Sequence, residues 1–349
     1  MSEQGLSPIA PAEAVAWYLE HRRDDTRFTT RRKQASALQI FVDWTDHAGI
    51  GNMNEVRGRE LMRFKTWRRT ETDVAIVSLN GTLAILRTFI RFCETIDAVE
   101  SDLAERVPLP NVPEEEEISG VVPTDDEVEG IRTYYRQFEY ASRRQVQFEL
   151  IAEVGLRLGA VRAIDLEDLD LAEQVIHLRH RPEGPDEYGT PLKNGKNGER
   201  IVNVSPPLTE LIRDYLHHNR DDVVDRFDRD PLFTTAHGRV TTTTMRRDFY
   251  KLSRPCMYSQ ACPHEREQSK CEATQHSKAE QCPSRFSTHP LRRWSIMHQL
   301  DAGISKELLS DRVDVSVPVL DKHYDQRSEE RKSRRRREEL AKLMPEYSA

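Results

Sequence analysis

The sequence has no run of roughly 18 consecutive apolar residues, which argues against a membrane-spanning helix. The first residues, MSEQGLSPIAPAEA, lack the basic segment followed by an apolar one that marks a secretory signal. We therefore expect a cytoplasmic location. Basic charge is also in deficit, because 52 Lys and Arg stand against 59 Asp and Glu, a net charge of −7. This balance mildly disfavours nucleic-acid binding, but a whole-chain value hides local basic patches such as RKSRRRREEL.

Cysteine is scarce, and its placement is uneven. In a chain expected in a reducing compartment, clustered cysteines favour a metal site over disulfides. Four thiolates around a Zn²⁺ ion would order a polar insertion that has few apolar residues, with His264 as the substitute ligand. The spacing lacks a C-x2-C pair, so an iron–sulfur cluster and unligated cysteines stay open as alternatives. Of the five cysteines, Cys93 is expected in a core, and the predicted zinc ligands are Cys256, Cys262, Cys271 and Cys282.

The 349 residues are enough for two domains. Apolar residues at helical spacing predict four helices up to residue 105, a small helical bundle. Prolines and a run of glutamates predict a linker over 106–121. Beyond it, 122–326 mixes predicted helices with two alternating segments, VIHLRH and RIVNVS, that predict strands joined by a long turn. A basic helical tail is predicted over 327–349, and the Cys-rich insertion interrupts the second domain at 256–282.

The most specific segment is STHPLRRWSIMHQLDAG, residues 287–303. Pro290 follows directly after His289 and favours a helix N-terminus there. His289 and Arg292 are three residues apart and therefore share one face of that helix. A positive helix end together with a guanidinium group predicts an anion site. Taken alone, the pair is also compatible with an ordinary surface H-x-x-R.

Three segments together resemble the tyrosine recombinase, or phage integrase, family, and within it the archaeal Xer-like integrases. HPLR at 289–292 followed by HQLDAG resembles the family's H-x-L-R…H-x-L-x-x-G signature. GLRLG at 155–159 followed by AIDLEDLD resembles its other arginine box, and LDKHYD puts Tyr324 at the position of the nucleophile. The resemblance covers about residues 155–325. It implies a mainly α N-terminal helical core-binding domain plus an α+β tyrosine-recombinase catalytic domain.

The resemblance also implies the activity and the partners. The family breaks and rejoins DNA strands at specific sites through a 3′-phosphotyrosine intermediate, with no cofactor for catalysis. The implied partner is double-stranded DNA, bound by a homotetramer on paired sites, with the C-terminal tail joining neighbouring copies. A catalytically inactive DNA-binding regulator on the same fold and a type IB topoisomerase-like enzyme stay open as alternatives.

Each implied role has a chemical reason. Tyr324 would be the nucleophile that conserves the phosphodiester energy in a covalent bond. Arg157 and Arg292 would hold the negative charge of the pentacoordinate phosphate. Lys193, with Lys196 as the alternative in the same turn, would protonate the leaving 5′ oxygen. In the same comparison His289 would be the base or proton relay near the tyrosine.

Two positions depart from the family pattern. Ala160 stands where the family has a supporting glutamate, three residues after Arg157. Val315 stands nine residues before the tyrosine, where the family has His or Trp. If the segment holds about three extra residues, Arg312 takes that place and donates to a phosphate oxygen, and His323 is a second substitute.

Overall fold

The structure, a computed structural model, describes residues 5–113, 122–182, 189–259, 261–275 and 277–324, together with isolated positions between 333 and 346. The described residues form two compact units, one up to residue 113 and the other from residue 122 onward. Most of the predicted tail at 327–349 and the part of the predicted linker beyond residue 113 lie outside the described residues.

The first unit is a bundle of four helices, at the positions that apolar periodicity predicts. They are α1 (Pro11–His21), α2 (Phe28–Ala48), α3 (Gly58–Thr70) and α4 (Ile76–Thr95). Helix α2 ends at Gly49, whose φ of 70° is the left-handed conformation that commonly closes a helix. The bundle is therefore specified by local signals in the sequence as well as by its core.

Aromatic side chains form the centre of this bundle. Phe41 of α2 packs edge-on against Phe64 of α3 and Phe89 of α4, and all three are fully buried. Among the described residues, α4 is the one helix long and apolar enough to cross a membrane by length and composition. Its apolar face is part of the bundle core, at Leu79, Leu83, Leu86, Phe89, Ile90 and Cys93.

The second unit combines helices with a small sheet. Strands β1 (Leu169–Asp170), β2 (Val175–Leu178) and β3 (Arg200–Asn203) form an antiparallel sheet in that order. The two strands predicted from alternation are β2 and β3. A two-stranded ribbon and nine helices complete the described part: β4 (Thr234–Thr235), β5 (Gly238–Arg239), α5 (Asp125–Phe138), α6 (Arg143–Val154), α7 (Leu158–Ala163), α8 (Pro206–His218), α9 (Thr242–Leu252), α10 (Pro255–Tyr258), α11 (Thr288–Ala302), α12 (Lys306–Val313) and α13 (Val317–His323).

Helix α6 lies at the centre of this unit. It is buried on nearly every side, including Phe148, Ile151 and Val154, as expected for a helix that other elements surround. Its C-terminus therefore lies in the interior of the unit. Arg157, the first arginine of the resembled family's pattern, follows three residues later. The mixture of a helical unit with a helix-and-sheet unit confirms the predicted fold class.

Buried charge anchors the connection between β2 and β3 at its base. Arg181, just after β2, donates to both carboxylate oxygens of Asp168 at 2.9 and 2.7 Å. Asp168 is fully buried, and charge-assisted hydrogen bonds to a buried carboxylate are the strong ones. The backbones of Arg181 and Thr190 also pair with each other. These contacts hold Thr190 in place, and the described residues 190–200 of the connection follow from it.

Candidate active site

Arg157 is positioned by the turn that ends α6. Gly155 closes the helix with a φ of 75°, and a Cβ atom there would lie 3.1 Å from Cγ1 of Val313. Both facts favour glycine. Arg157 then caps the N-terminus of α7, and its guanidinium donates to Asp314, from Nη1 to Oδ2 at 2.5 Å and from Nη2 to the backbone oxygen at 2.7 Å.

Arg292 is the most buried arginine of the site, with only 1% of its surface exposed. Its Nη1 donates to the backbone oxygen of Gly155 at 2.6 Å, and its Nη2 donates to that of Val313 at 2.8 Å. Its Nε has no hydrogen-bond partner among the described residues. Burial and the neighbouring charge of Arg157 lower the pKa of Arg292 to about 10. The guanidinium is therefore charged at neutral pH and rigidly held.

Tyr324 follows directly after α13 and lies beside Arg292. It is 6% exposed and packs in an apolar cluster that includes Leu309 and Leu320. Its side chain interacts with the guanidinium of Arg292, which in turn lies within electrostatic range of Arg157. Arg157 and Arg292 also donate to the adjacent backbone oxygens of Asp314 and Val313, so Arg157, Arg292 and Tyr324 lie together although more than 100 residues separate the first from the others.

His289 lies in the first turn of α11 and is exposed at the surface of the unit. Partial desolvation of its imidazole by the surrounding residues lowers its pKa, and the charges of Arg292, Arg293 and Arg157 lower it further. The neutral form is therefore the stable one at neutral pH. A neutral imidazole has a free nitrogen lone pair and can accept a proton.

We expect the imidazole of His289 to titrate below its ordinary value of about 6.5. The Arg157→Ala variant removes a positive charge near the ring, which makes protonation easier and raises this midpoint. NMR titration of the His289 ring nitrogens in both proteins measures the two values. A wild-type midpoint at or above 6.5, or no upward shift in the variant, contradicts the described electrostatics.

Lys193 and Lys196 are exposed in the connection between β2 and β3. Asn194, next to Lys193, donates from Nδ2 to Oδ1 of Asp314 at 2.6 Å. This bond holds the Lys193 end of the turn against the same carboxylate that Arg157 contacts. Lys196 lies in the short helical turn Gly195–Gly198, two residues beyond Asn194.

Arg312 is not brought to the two arginines. Its Nε donates to Oε1 of Gln299 at 3.0 Å, and its Nη1 donates to the backbone oxygen of Asn203 at 3.0 Å, beside a cavity of about 450 Å³. Helix α12 ends at Val313, and the next residue, Asp314, is left-handed, a conformation that the glycine of the family's L-G-H-S pattern adopts readily. Val315 then occupies the His or Trp position and is buried. The side chain of His323 lies outside the described part of the chain.

Three residues of this site were not predicted from the sequence. Asp314 and Asn194 form the contacts given above. Arg200 of β3 donates to the backbone oxygens of Arg312 and Gly198, each at 2.9 Å. Burial lowers the pKa of Arg200, while the carboxylate of Asp314 raises it. In the sequence, the one signal for any of these three residues is Asp314 itself, which stands ten residues before Tyr324 where the resembled pattern has glycine.

The predicted metal site is not assembled. Cys256, Cys262, Cys271 and Cys282 are all free thiols, and the described residues contain no group of three or more His, Cys, Asp or Glu side chains arranged to hold a metal ion. The described residues therefore give no support to zinc or to an iron–sulfur cluster, and His276 lies outside them.

Other contacts order the insertion, contrary to the reasoning that predicted a metal. Buried Arg254 donates to the backbone oxygen of Ala273. The hydroxyl of Ser253 exchanges hydrogen bonds with the backbone of Phe286, both at 2.9 Å. His264, the predicted substitute ligand, is bonded through Nε2 to Oγ of Ser284 at 2.7 Å. These hydrogen bonds tie the insertion to the chain on either side of it.

No protein-family model matches the chain. Among curated proteins, it is similar to the tyrosine recombinase XerC of Chlamydia trachomatis, with 24% identity over 201 residues, 55% of this chain and 56% of that protein. It is also similar to the tyrosine recombinase XerD of Oceanobacillus iheyensis, with 20% identity over 230 residues, 66% of this chain and 69% of that protein. The chain spans about half the length of the XerC relatives it matches.

Two solved structures have the same fold. The Tn1549 transposon integrase in complex with a circular intermediate DNA matches with a TM-score of 0.66 and 15% identity, over 96% of this chain and 99% of that one. A lambda integrase tetramer bound to a Holliday junction matches with a TM-score of 0.61 and 10% identity, over 92% and 80% of the two chains. At these identities the likeness establishes the fold.

Proposed function

Since the chain belongs to the tyrosine recombinase family, we propose that it is a site-specific DNA recombinase that cuts and rejoins strands through a 3′-phosphotyrosine intermediate. The observation that carries the proposal is the close placement of Arg157, Arg292 and Tyr324, given by the hydrogen bonds of the two arginines to Gly155, Val313 and Asp314. Two guanidinium groups beside a tyrosine hydroxyl form a site for a phosphodiester and its nucleophile. The proposed setting is the cytoplasm.

In the cleavage step, the phenol oxygen of Tyr324 attacks the phosphorus of the scissile phosphodiester and the 5′ oxygen leaves. The neutral imidazole of His289 accepts the phenol proton, and the ammonium group of Lys193 protonates the leaving oxygen. The new bond joins tyrosine to the 3′ phosphate and conserves the energy of the broken one. Attack by a 5′ hydroxyl of a second strand reverses the step, so no cofactor is consumed.

The arginines supply the electrostatic part of the catalysis. The phosphate gains negative charge as it becomes pentacoordinate, and Arg157 and Arg292 balance this charge. Because Arg292 is buried and held by two backbone oxygens, it needs no reorganisation when that charge develops. Its Nε is buried and has no partner among the described residues.

The duplex must also be bound at positions distant from the scissile phosphate. We propose that the helical unit makes these contacts. Arg59 and Arg63 of α3 are both exposed and are four residues apart, so they share one helix face. Exposed arginines on one face are suited to contact the phosphates of a duplex.

The Arg59→Gln/Arg63→Gln variant is expected to bind duplex DNA more weakly and with less dependence on salt. Each lost phosphate contact lowers the slope of log K against log salt by about 0.9. Fluorescence anisotropy at a series of salt concentrations measures both quantities. The control is Arg213→Gln, which removes an exposed arginine that pairs with Glu210 on α8. Equal slopes for wild type and the double variant contradict a DNA-contacting face on α3.

We propose that four copies act together on two duplexes. The lambda integrase in one of the matching structures is a tetramer bound to a Holliday junction. The sequence of the proposed tail, 327–349, is rich in arginine and ends in the apolar-containing segment ELAKLMPEYSA. Such a segment is suited to join one copy to the next, with its arginines near DNA phosphates.

Covalent capture tests the proposed function without knowledge of the target site. The wild-type protein is incubated with a pool of duplexes that carry a nick next to randomised arms, so that a short fragment diffuses away after cleavage and traps the intermediate. Complexes that survive denaturation are isolated and their DNA is sequenced. We expect protein-linked DNA with a shared sequence. Noncovalent binding without any linked DNA supports the inactive regulator, and linkage to every sequence supports a topoisomerase.

A further inference from the structure

Asp314 has a backbone conformation that residues with a side chain rarely adopt. It ends α12 at φ 56° and ψ 55°, in the left-handed region. Aspartate tolerates this region better than most residues, but glycine is the usual occupant. The carboxylate makes bonds to two residues more than 100 positions away in the sequence. Glycine has no side chain and would make neither of these hydrogen bonds.

Both oxygens of the carboxylate are engaged. Oδ2 accepts from Nη1 of Arg157 at 2.5 Å, and Oδ1 accepts from Nδ2 of Asn194 at 2.6 Å. The backbone oxygen of Asp314 accepts a further bond from Arg157 at 2.7 Å. The side chain is 13% exposed, so water competes little for these bonds. One residue thus joins the first arginine, the turn that carries Lys193 and the segment that leads to Tyr324.

The charges around Asp314 explain why a carboxylate is needed there. Arg157, Arg200 and Arg292 lie within electrostatic range of one another, and their mutual repulsion contributes to the lowered pKa of Arg292 and of Arg200. Asp314 acts against this repulsion for Arg200 and pairs directly with Arg157. Ala160, buried on α7, has no carboxylate to offer. The negative charge that orders the arginines therefore comes from the segment just before the tyrosine.

We propose that Asp314 is a positioning residue of the cleavage reaction. It orients the guanidinium of Arg157 toward the phosphate and, through Asn194, holds Lys193 within reach of the leaving oxygen. This inference rests on the proposed function, because it assigns Asp314 a task in that reaction. Asp314 itself does not touch the DNA in this scheme.

The first test compares single-turnover cleavage by Asp314→Asn and Asp314→Gly on the captured DNA sequence. Both variants lose the charge, but the glycine variant keeps or improves the fit to the left-handed backbone. We expect each to cleave about 10²-fold more slowly, since a misplaced group costs about that much in rate. The control is Glu307→Gln, which removes an exposed carboxylate from the first turn of the same helix. DNA affinity and melting temperature, measured alongside, are expected to change little.

A second substrate separates the two tasks of Asp314. Replacing the bridging 5′ oxygen by sulfur gives a leaving group that needs no protonation, because thiols are far more acidic than alcohols. Asn194→Ala loses only the link to Lys193, so we expect its defect on the oxygen substrate to disappear on the sulfur substrate. Asp314→Asn also disturbs Arg157, so it is expected to stay slower than wild type on both.

Three results would overturn the assignment. Unchanged cleavage by Asp314→Gly would show that the carboxylate is dispensable. Faster cleavage by Asp314→Asn would show that it blocks the arginines until phosphate displaces it. Unchanged amide hydrogen exchange of residues 192–199 in Asp314→Gly, which has no side-chain acceptor for Asn194, would show that Asp314 does not hold the turn. The exchange measurement needs no DNA, so it tests whether Asp314 holds the turn even if the wild-type protein forms no covalent adduct. The absence of an adduct would contradict the proposed function alone.

Discussion

The Tyr324→Phe variant is expected to bind the captured DNA sequence normally and to form no covalent adduct with it. The substitution removes the oxygen that would bond to phosphorus and keeps the aromatic ring in its apolar cluster with Leu309 and Leu320. We expect the loss of single-turnover cleavage to reach at least about 10⁴-fold, as for other covalent nucleophiles. Denaturing electrophoresis of labelled DNA measures the adduct, and anisotropy measures binding.

The matched control is Tyr250→Phe. The ring of Tyr250 lies under the guanidinium of Arg285, a contact that phenylalanine preserves. This tyrosine precedes His289 in the sequence and has no place in the proposed reaction. Adduct formation at the wild-type rate by Tyr324→Phe, or its loss in Tyr250→Phe, would mean that the nucleophile has been wrongly assigned.

The second large effect is expected from the two arginines. Arg157→Ala should slow cleavage by about 10²–10³-fold, the usual cost of removing one preorganised contact to a developing negative charge. Arg292→Ala should slow it at least as much. It should also lower the free energy of unfolding, because the backbone oxygens of Gly155 and Val313 lose their buried donor at about 1–3 kcal/mol each. Single-turnover kinetics and urea denaturation separate the two consequences.

Arg312→Gln provides the comparison for these variants. Its guanidinium bonds to Gln299 and to the backbone of Asn203, not to Arg157 or Tyr324. We therefore expect its effect on the cleavage rate to be well below that of Arg157→Ala. An equal loss of cleavage rate in Arg312→Gln and Arg157→Ala would show that Arg312 contacts the phosphate, as the resemblance implies.

The helices and the central motifs were predictable because their signals are local. Apolar spacing predicts α2 and α4, alternation predicts β2 and β3, and the chain order of the arginine boxes and the tyrosine carries the family resemblance. The role of Asp314 was not predictable in this way. Its partners are more than 100 residues distant, so only the folded chain brings them together.

Two predictions rested on residue type without the tertiary contacts. Arg312 was assigned to the site by allowing extra residues in the segment, and that assignment stays a prediction, although its guanidinium bonds to Gln299 and to the backbone of Asn203. The four clustered cysteines suggested a metal because the insertion has few apolar residues. The structure instead ties the insertion through polar contacts of Arg254 and Ser253.

The most direct measurement is the identity of the residue that carries the DNA. Wild-type protein trapped on the captured sequence is digested with nuclease and protease, and the modified peptide is sequenced by mass spectrometry. We expect a nucleotide remnant attached through its 3′ phosphate to Tyr324. A remnant on Tyr250, Tyr258, Tyr347 or a serine, or one attached through a 5′ phosphate, would contradict this expectation.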